Sequence, residues 1–169
     1  MVESGIPYWE YSYLGQYNEA ETAIMPTGLD HSSWLDAAIA SPRTVPLFLA
    51  CGVEPSFKTC RIDLGGQTNF RPNVNEEYVS QAEHDGKATL TWDALPVGVL
   101  NLENLIATGA TAALELRIGT AAGRAIHVHA PTAGPTGYTL GDDQGVVQHN
   151  VDLSLYPVTG GDDVVFSVL

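Results

Sequence analysis

The residue pair with the clearest chemical potential is His127 and His129, because alternate residues of an extended strand point to the same side and two imidazoles so placed can bind one metal ion. His149 completes such a set if the next strand lies alongside, with Asp142 or Asp143 as an oxygen ligand. The plainer reading is of exposed or hydrogen-bonded strand histidines. His31 and His84 titrate in the right range for acid–base work, yet neither stands in a nucleophile or zinc motif. Cys51 and Cys60 lie nine positions apart with no Cys-x-x-Cys spacing, and read as small apolar fillers.

Two acidic stretches, Asp142-Asp143-Gln144-Gly145 and Gly160-Gly161-Asp162-Asp163, resemble oxygen-rich cation loops only superficially. Both lack the spaced ligands and closing Glu of an EF-hand, and turn formation explains them better. Neither Gly65-Gly66 nor Gly160-Gly161 forms a dinucleotide or phosphate-loop motif. The sequence therefore assigns no catalytic residue and no cofactor. A metal-dependent enzyme built on His127, His129 and His149 is the lowest-ranked reading.

The elements that must position these groups are mostly strands. Residues 87–92 follow the turn signal Asp85-Gly86 and alternate, with Leu90 and Trp92 on one face and Thr89 and Thr91 on the other. Further strands are expected at 112–118, 124–130, 149–156 and 163–169, with Gly119, Gly123, Pro131, Gly134, Pro135 and Gly137 marking turns or loops between them. A helix is expected within 98–109, where Val99, Leu102, Leu105 and Ile106 make an apolar stripe. Ser33 caps a second short helix through Ile39, with Asp36 as its capping-box partner. In the apolar run 45–51, Pro46 suits either the start of a helix or an edge strand, and a short buried helix ended by Gly52 is preferred; residues 57–63 are read as extended, and 67–81 as an exposed loop or irregular strand. The fold class that follows is mainly β, an antiparallel β-barrel or sandwich with one or two short α-helices.

With 169 residues, one domain is the expectation, with an N-terminal arm or loop region at 1–30 and the β-rich core best supported at 82–169. Apolar stretches are too short for a membrane-spanning helix, and residues 1–17 lack the basic region and apolar core of a secretory signal, so synthesis in the cytoplasm is expected. Twenty acidic residues against seven Lys plus Arg give a net charge of −13. The basic residues are scattered, which argues against a protein that grips a phosphate backbone. Within residues 7–17, Tyr8, Trp9, Tyr11, Tyr13 and Tyr17 form an aromatic segment suited to docking on its own domain or on a neighbouring subunit, or to holding a ligand.

The order Cys51-Gly52-Val53, then Asp85 through Trp92, the helical stretch 98–109 and the strand-rich tail through Val165-Phe166-Ser167 resembles the tail tube proteins of tailed bacteriophages and related injection machines, over roughly the final two-thirds of the chain. The resemblance implies a structural subunit of the virion tail, synthesised in the host cytoplasm. It implies homo-oligomeric hexameric rings that stack into a hollow tube, with tail terminator and baseplate or tip proteins as partners. DNA would pass through such a tube without specific binding, and an acidic lumen would limit its adhesion. The region 22–50 carries more helix-like and proline-bearing sequence than a minimal tube domain needs, which leaves a terminator or baseplate role open. A β-rich carbohydrate or receptor-binding module of a tail or baseplate is the alternative from another class.

Overall fold

A two-residue periodicity of buried and exposed side chains runs through most of the described chain, and it produces strands. The computed structural model describes residues 2–3, 8–12, 40–41, 43–81, 84–121 and 123–169. The helix expected at 33–39 lies outside the described residues, as do Tyr13, Tyr17 and His31. In chain order the elements are β1 (Val2–Glu3), β2 (Leu47–Leu49), β3 (Phe57–Asp63), β4 (Thr68–Pro72), β5 (Glu77–Gln81) and β6 (Lys87–Asp93). They continue with α1 (Leu102–Thr108), β7 (Ala112–Ile118), β8 (Ile126–Asp143), β9 (Val146–Tyr156) and β10 (Val165–Val168).

Eight strands form one antiparallel sheet in the order β1-β3-β6-β9-β8-β7-β2, with β10 added on β8. The sheet curls into half a barrel, and β1 and β2 remain as its two ends. The mainly β, antiparallel reading therefore holds, with one short helix among the described residues. The core is the inner face of the curl. Ala88, Leu90 and Trp92 of β6, Leu114, Leu116 and Ile118 of β7, and Val151, Leu153 and Leu155 of β9 are all buried. On the other face of β6, Thr91 donates to Asn150 Oδ1 at 2.8 Å and Thr89 to Asp152 Oδ1 at 3.1 Å, so polar pairs stitch the side that water reaches.

Helix α1 starts where the Asn101 side chain accepts the Asn104 N–H at 2.9 Å, and it ends at Gly109 in the left-handed conformation. It buries Leu102 and is tied to β8 by the Tyr138 hydroxyl, which donates to Glu103 Oε1 at 3.0 Å. Val99 is exposed and belongs to a turn closed on Pro96, so the helix occupies only the later part of the expected stretch.

Three local expectations are corrected. The run 45–51 is not a helix: β2 pairs with β7, burying Phe48 between two half-buried leucines. Pro46 precedes an edge strand, where its missing N–H leaves no gap in the ladder. Cys51 and Gly52 both have positive φ and form the tight turn that bridges Ala50 to Val53, so Gly52 ends no helix. Residues 67–81 are a regular hairpin, with Phe70 paired to Val79 and Arg71 to Tyr78, in a two-stranded sheet of its own. Residues 131–137 are not loop but the middle of β8. Pro131 falls in the register shift of the β7–β8 ladder, between the pairings of Ala130 and Ala133, and Pro135 borders a second shift in the β8–β9 ladder, so neither imino nitrogen interrupts a ladder.

Candidate functional site

The inner face of the half-barrel is open between β3 and β10, and residues 8–12 lie along that opening. A groove of about 820 Å³ is lined there by Trp9, Tyr11, Cys60, Leu116, Val128 and Phe166, among others. Register explains the apolar floor: Phe166 pairs with Val128, and Val128 with Leu116, so all three share the core-facing side. The Trp9 ring meets Phe166 edge-on with centroids 4.6 Å apart. The aromatic arm thus docks on its own sheet through Trp9. Tyr8, Trp9 and Tyr11 nonetheless keep half or more of their surface exposed.

A second exposed apolar surface is the β4–β5 hairpin. Every residue of β4 is exposed, Phe70 and Tyr78 each at 40%, and Val74 near the tip is fully exposed. A lone two-stranded hairpin is marginally stable in water. Phe70, Tyr78 and Val74 give this hairpin an exposed apolar surface.

The net charge of the chain is −13, although Arg43, Arg61, Arg71 and Arg124 are exposed. Both lysines of the chain are tied to carboxylates, Lys58 to Asp143 at 2.8 Å and Lys87 to Asp85 at 2.9 Å, so neither offers a free cation to a polyanion. The acidic stretches are turns, as expected. Gln144 and Gly145 have positive φ and join β8 to β9, while Asp142 Oδ1 accepts the Gly145 N–H. Asp162 accepts the N–H groups of Val158 and Thr159 and the Thr159 hydroxyl, and these bonds hold its carboxyl below the usual range, the Thr159 backbone bond foremost.

Of the three histidines proposed from sequence, the structure brings two together. His127 and His129 lie on one face of β8 with ring centroids 6.0 Å apart. The third group beside them is Glu115 of β7, with His129 Nδ1 3.3 Å from Oε1 and His127 Nε2 3.6 Å from Oε2. Sequence reasoning missed Glu115, since its placement depends on the β7–β8 register that pairs it with His129. The signal available was the polar Glu between Leu114 and Leu116, which marks the face opposite the core.

His149 is elsewhere. It sits on β9 opposite Trp92 and Leu140, its ring 5.8 Å from that of Tyr138, and its Nδ1 is buried with no hydrogen-bond partner. Desolvation lowers its pKa from the ordinary value of 6.5. The unfolded chain then takes up this proton more readily than the folded one, so stability is full above pH 6.5 and falls as pH drops through that value. Thermal melts at pH 7.5 and pH 5 should show a larger loss for the wild type than for His149→Phe, which keeps a ring and removes the titration. An equal loss in both proteins would assign the acid sensitivity to other groups.

The cysteines carry no activated thiolate. Both are free, and burial pushes Cys51 up to about 11 and Cys60 up to about 12. His84 Nδ1 lies 3.4 Å from the buried Asp163 Oδ2, an arrangement without a nucleophile.

No protein-family model and no curated protein matches the sequence. Solved structures do match the fold. A chain of the anti-feeding prophage cap, the cap that terminates the tube, aligns with a TM-score of 0.56 at 13% identity, covering 86% of this chain and 100% of that one. A chain from the virion of a native gene transfer agent particle aligns with a TM-score of 0.50 at 10% identity, over 76% of this chain and 99% of that one. At these identities the likeness is one of fold.

Proposed function

We infer that this chain is a non-enzymatic structural subunit of a phage-tail-like machine, a single domain with an N-terminal arm that assembles with copies of itself into rings of the virion tail. The observation that carries the reading is the fold shared with the tube-terminating cap of the anti-feeding prophage along 86% of this chain. Exposed apolar surface on the β4–β5 hairpin, half-exposed aromatics at Tyr8, Trp9 and Tyr11, and sheet ends at β1 and β2 that meet no further strand among the described residues support it, since each is a surface that ring neighbours would cover. Hexameric rings stack as a tube, with a terminator and baseplate or tip proteins at its ends. DNA passes through during delivery, and the net charge of −13 keeps it from adhering to the wall.

A second reading is the ring that closes the tube, favoured by coverage of the whole of the cap chain. Negative-stain electron microscopy of the purified chain, alone and with its tail partners, distinguishes the two. Stacked hollow cylinders are expected for a tube subunit and single rings bound at tube ends for a terminator. A monomer under every assembly condition would defeat both. The double variant Phe70→Ser/Tyr78→Ser should keep the far-ultraviolet spectrum of the folded subunit and lose the rings. If it assembles as the wild type does, the hairpin has no part in assembly. Should Tyr8, Trp9 or Tyr11 instead bind an oligosaccharide with no polymerisation, the chain is a receptor-binding module.

A further inference from the structure

The outer face of the sheet carries a group of side chains distinct from the aromatic groove and the β4–β5 hairpin. Ladder register lines up two rows across four strands: Leu49, Glu115, His129 and Val165, and beside it Leu47, Arg117, His127 and Ser167. Glu115 and both histidines are between a quarter and a third exposed, so they are shielded without being sealed. The separations from Glu115 to the imidazoles, 3.3 and 3.6 Å, exceed the 2.7–3.2 Å of a hydrogen bond. One ligand atom from each of the three residues falls within 4.8 Å of the others. The two imidazole separations run to different carboxylate oxygens of Glu115; donors around a common tetrahedral Zn²⁺, each about 2.0–2.2 Å from it, stand roughly 3.4 Å apart, so modest side-chain rotation brings the three groups onto a shared ion.

We propose that Glu115, His127 and His129 form a binding site for a borderline divalent metal ion of the Zn²⁺ type, with one coordination position open to water or to an incoming side chain. Two imidazoles and one carboxylate are a ligand set that suits Zn²⁺ and nitrogen-preferring transition metals over Ca²⁺ or Mg²⁺, which take oxygen. The strand fixes both imidazoles on one side of β8 and the adjacent β7 delivers the carboxylate to the same side. Leu49 and Val165 flank Glu115 and His129 in the same row and limit solvent at the ion. Arg117 is the opposing charge, directly across from His127. Its guanidinium repels a dication, and so it weakens the site without occupying it.

Calorimetric titration of the full chain with ZnCl₂ at pH 7.5 tests the proposal, with Co²⁺ absorption as the report on coordination. One Zn²⁺ per chain and the intense visible bands of tetrahedral Co²⁺ are expected. Each of Glu115→Gln, His127→Asn and His129→Asn should weaken binding by at least about 10- to 100-fold, since even partners outside the coordination shell carry that much. Arg117→Gln should tighten it, and His149→Phe should leave it unchanged. Circular dichroism without metal separates a lost ligand from a lost fold, and the wild-type Co²⁺ spectrum needs no variant. Absence of stoichiometric binding to the wild type would overturn the site, as would undiminished affinity in His127→Asn/His129→Asn. Loss of binding in His149→Phe alone would move the site to β9 and refute this one.

Discussion

Trp92→Ala is expected to lower the unfolding free energy by about 3–5 kcal/mol, the range for deleting a buried aromatic side chain from a close-packed interior. Trp92 is fully buried at the third inward position of β6, after Ala88 and Leu90, and it lies in a ladder row with Phe57, His149 and Leu140. Those neighbours belong to three different strands fixed by their own hydrogen bonds, so they cannot collapse into the space an alanine would leave. Trp92→Phe should be much milder. The indole N–H is buried with no partner among the described residues, and phenylalanine discards that donor while keeping most of the packing. Urea denaturation followed by circular dichroism measures both variants. A loss below about 1 kcal/mol for the alanine variant, the level of an average point substitution, would mean that the interior is not packed around this ring.

The second large effect is expected at Gly119, in the connection between β7 and β8. Its φ of 97° lies where side chains are strained, and a Cβ there would stand 2.5 Å from the Arg124 carbonyl oxygen and 2.9 Å from the Ala125 Cα. Both obstacles are backbone, and Ala125 is fully buried. The Gly119 N–H also donates to the Thr44 carbonyl, which ties the turn to the segment leading into β2. Gly119→Ala should therefore cost at least about 2 kcal/mol, from backbone strain with the clash added. Gly137→Ala is the matched control, because a Cβ at that position meets nothing within 4 Å. It should stay within about 0.5 kcal/mol of the wild type in the same denaturation experiment. A near-neutral Gly119→Ala would show that the β7–β8 connection can relax around a methyl group.

How much of this fold could be read from the residues depends on whether the signal was local. Alternation made β6 legible, because Leu90 and Trp92 face a core while Thr89 and Thr91 face water, and β7 occupies the very residues expected of it. The run 45–51 was illegible by the same test: continuous apolar residues have no period, and the pairing of Phe48 with Leu116 decides the outcome from across the sheet. The β4–β5 hairpin hides its pattern because neither face of it is buried. In β8 the prolines and glycines read as turns, and only the register shifts beside Pro131 and Pro135 show how a strand tolerates them. The candidate metal group divides likewise. His127 and His129 are neighbours by strand periodicity alone, whereas Glu115 joins them, and His149 does not, through pairings between segments far apart in sequence.

The uninterrupted run of β8 has a mechanical consequence. Residues 126–129 are gripped by β7 on one side and β10 on the other, and the remainder of the strand is laced to β9. Tension entering at the β2 end of the sheet reaches the β1 end through successive hydrogen-bonded ladders, with no seam at which two sheets merely touch. Loaded lengthwise, the β8–β9 ladder meets the pull in shear, where its hydrogen bonds share the force and do not open one after another. The sheet bends as one elastic plate.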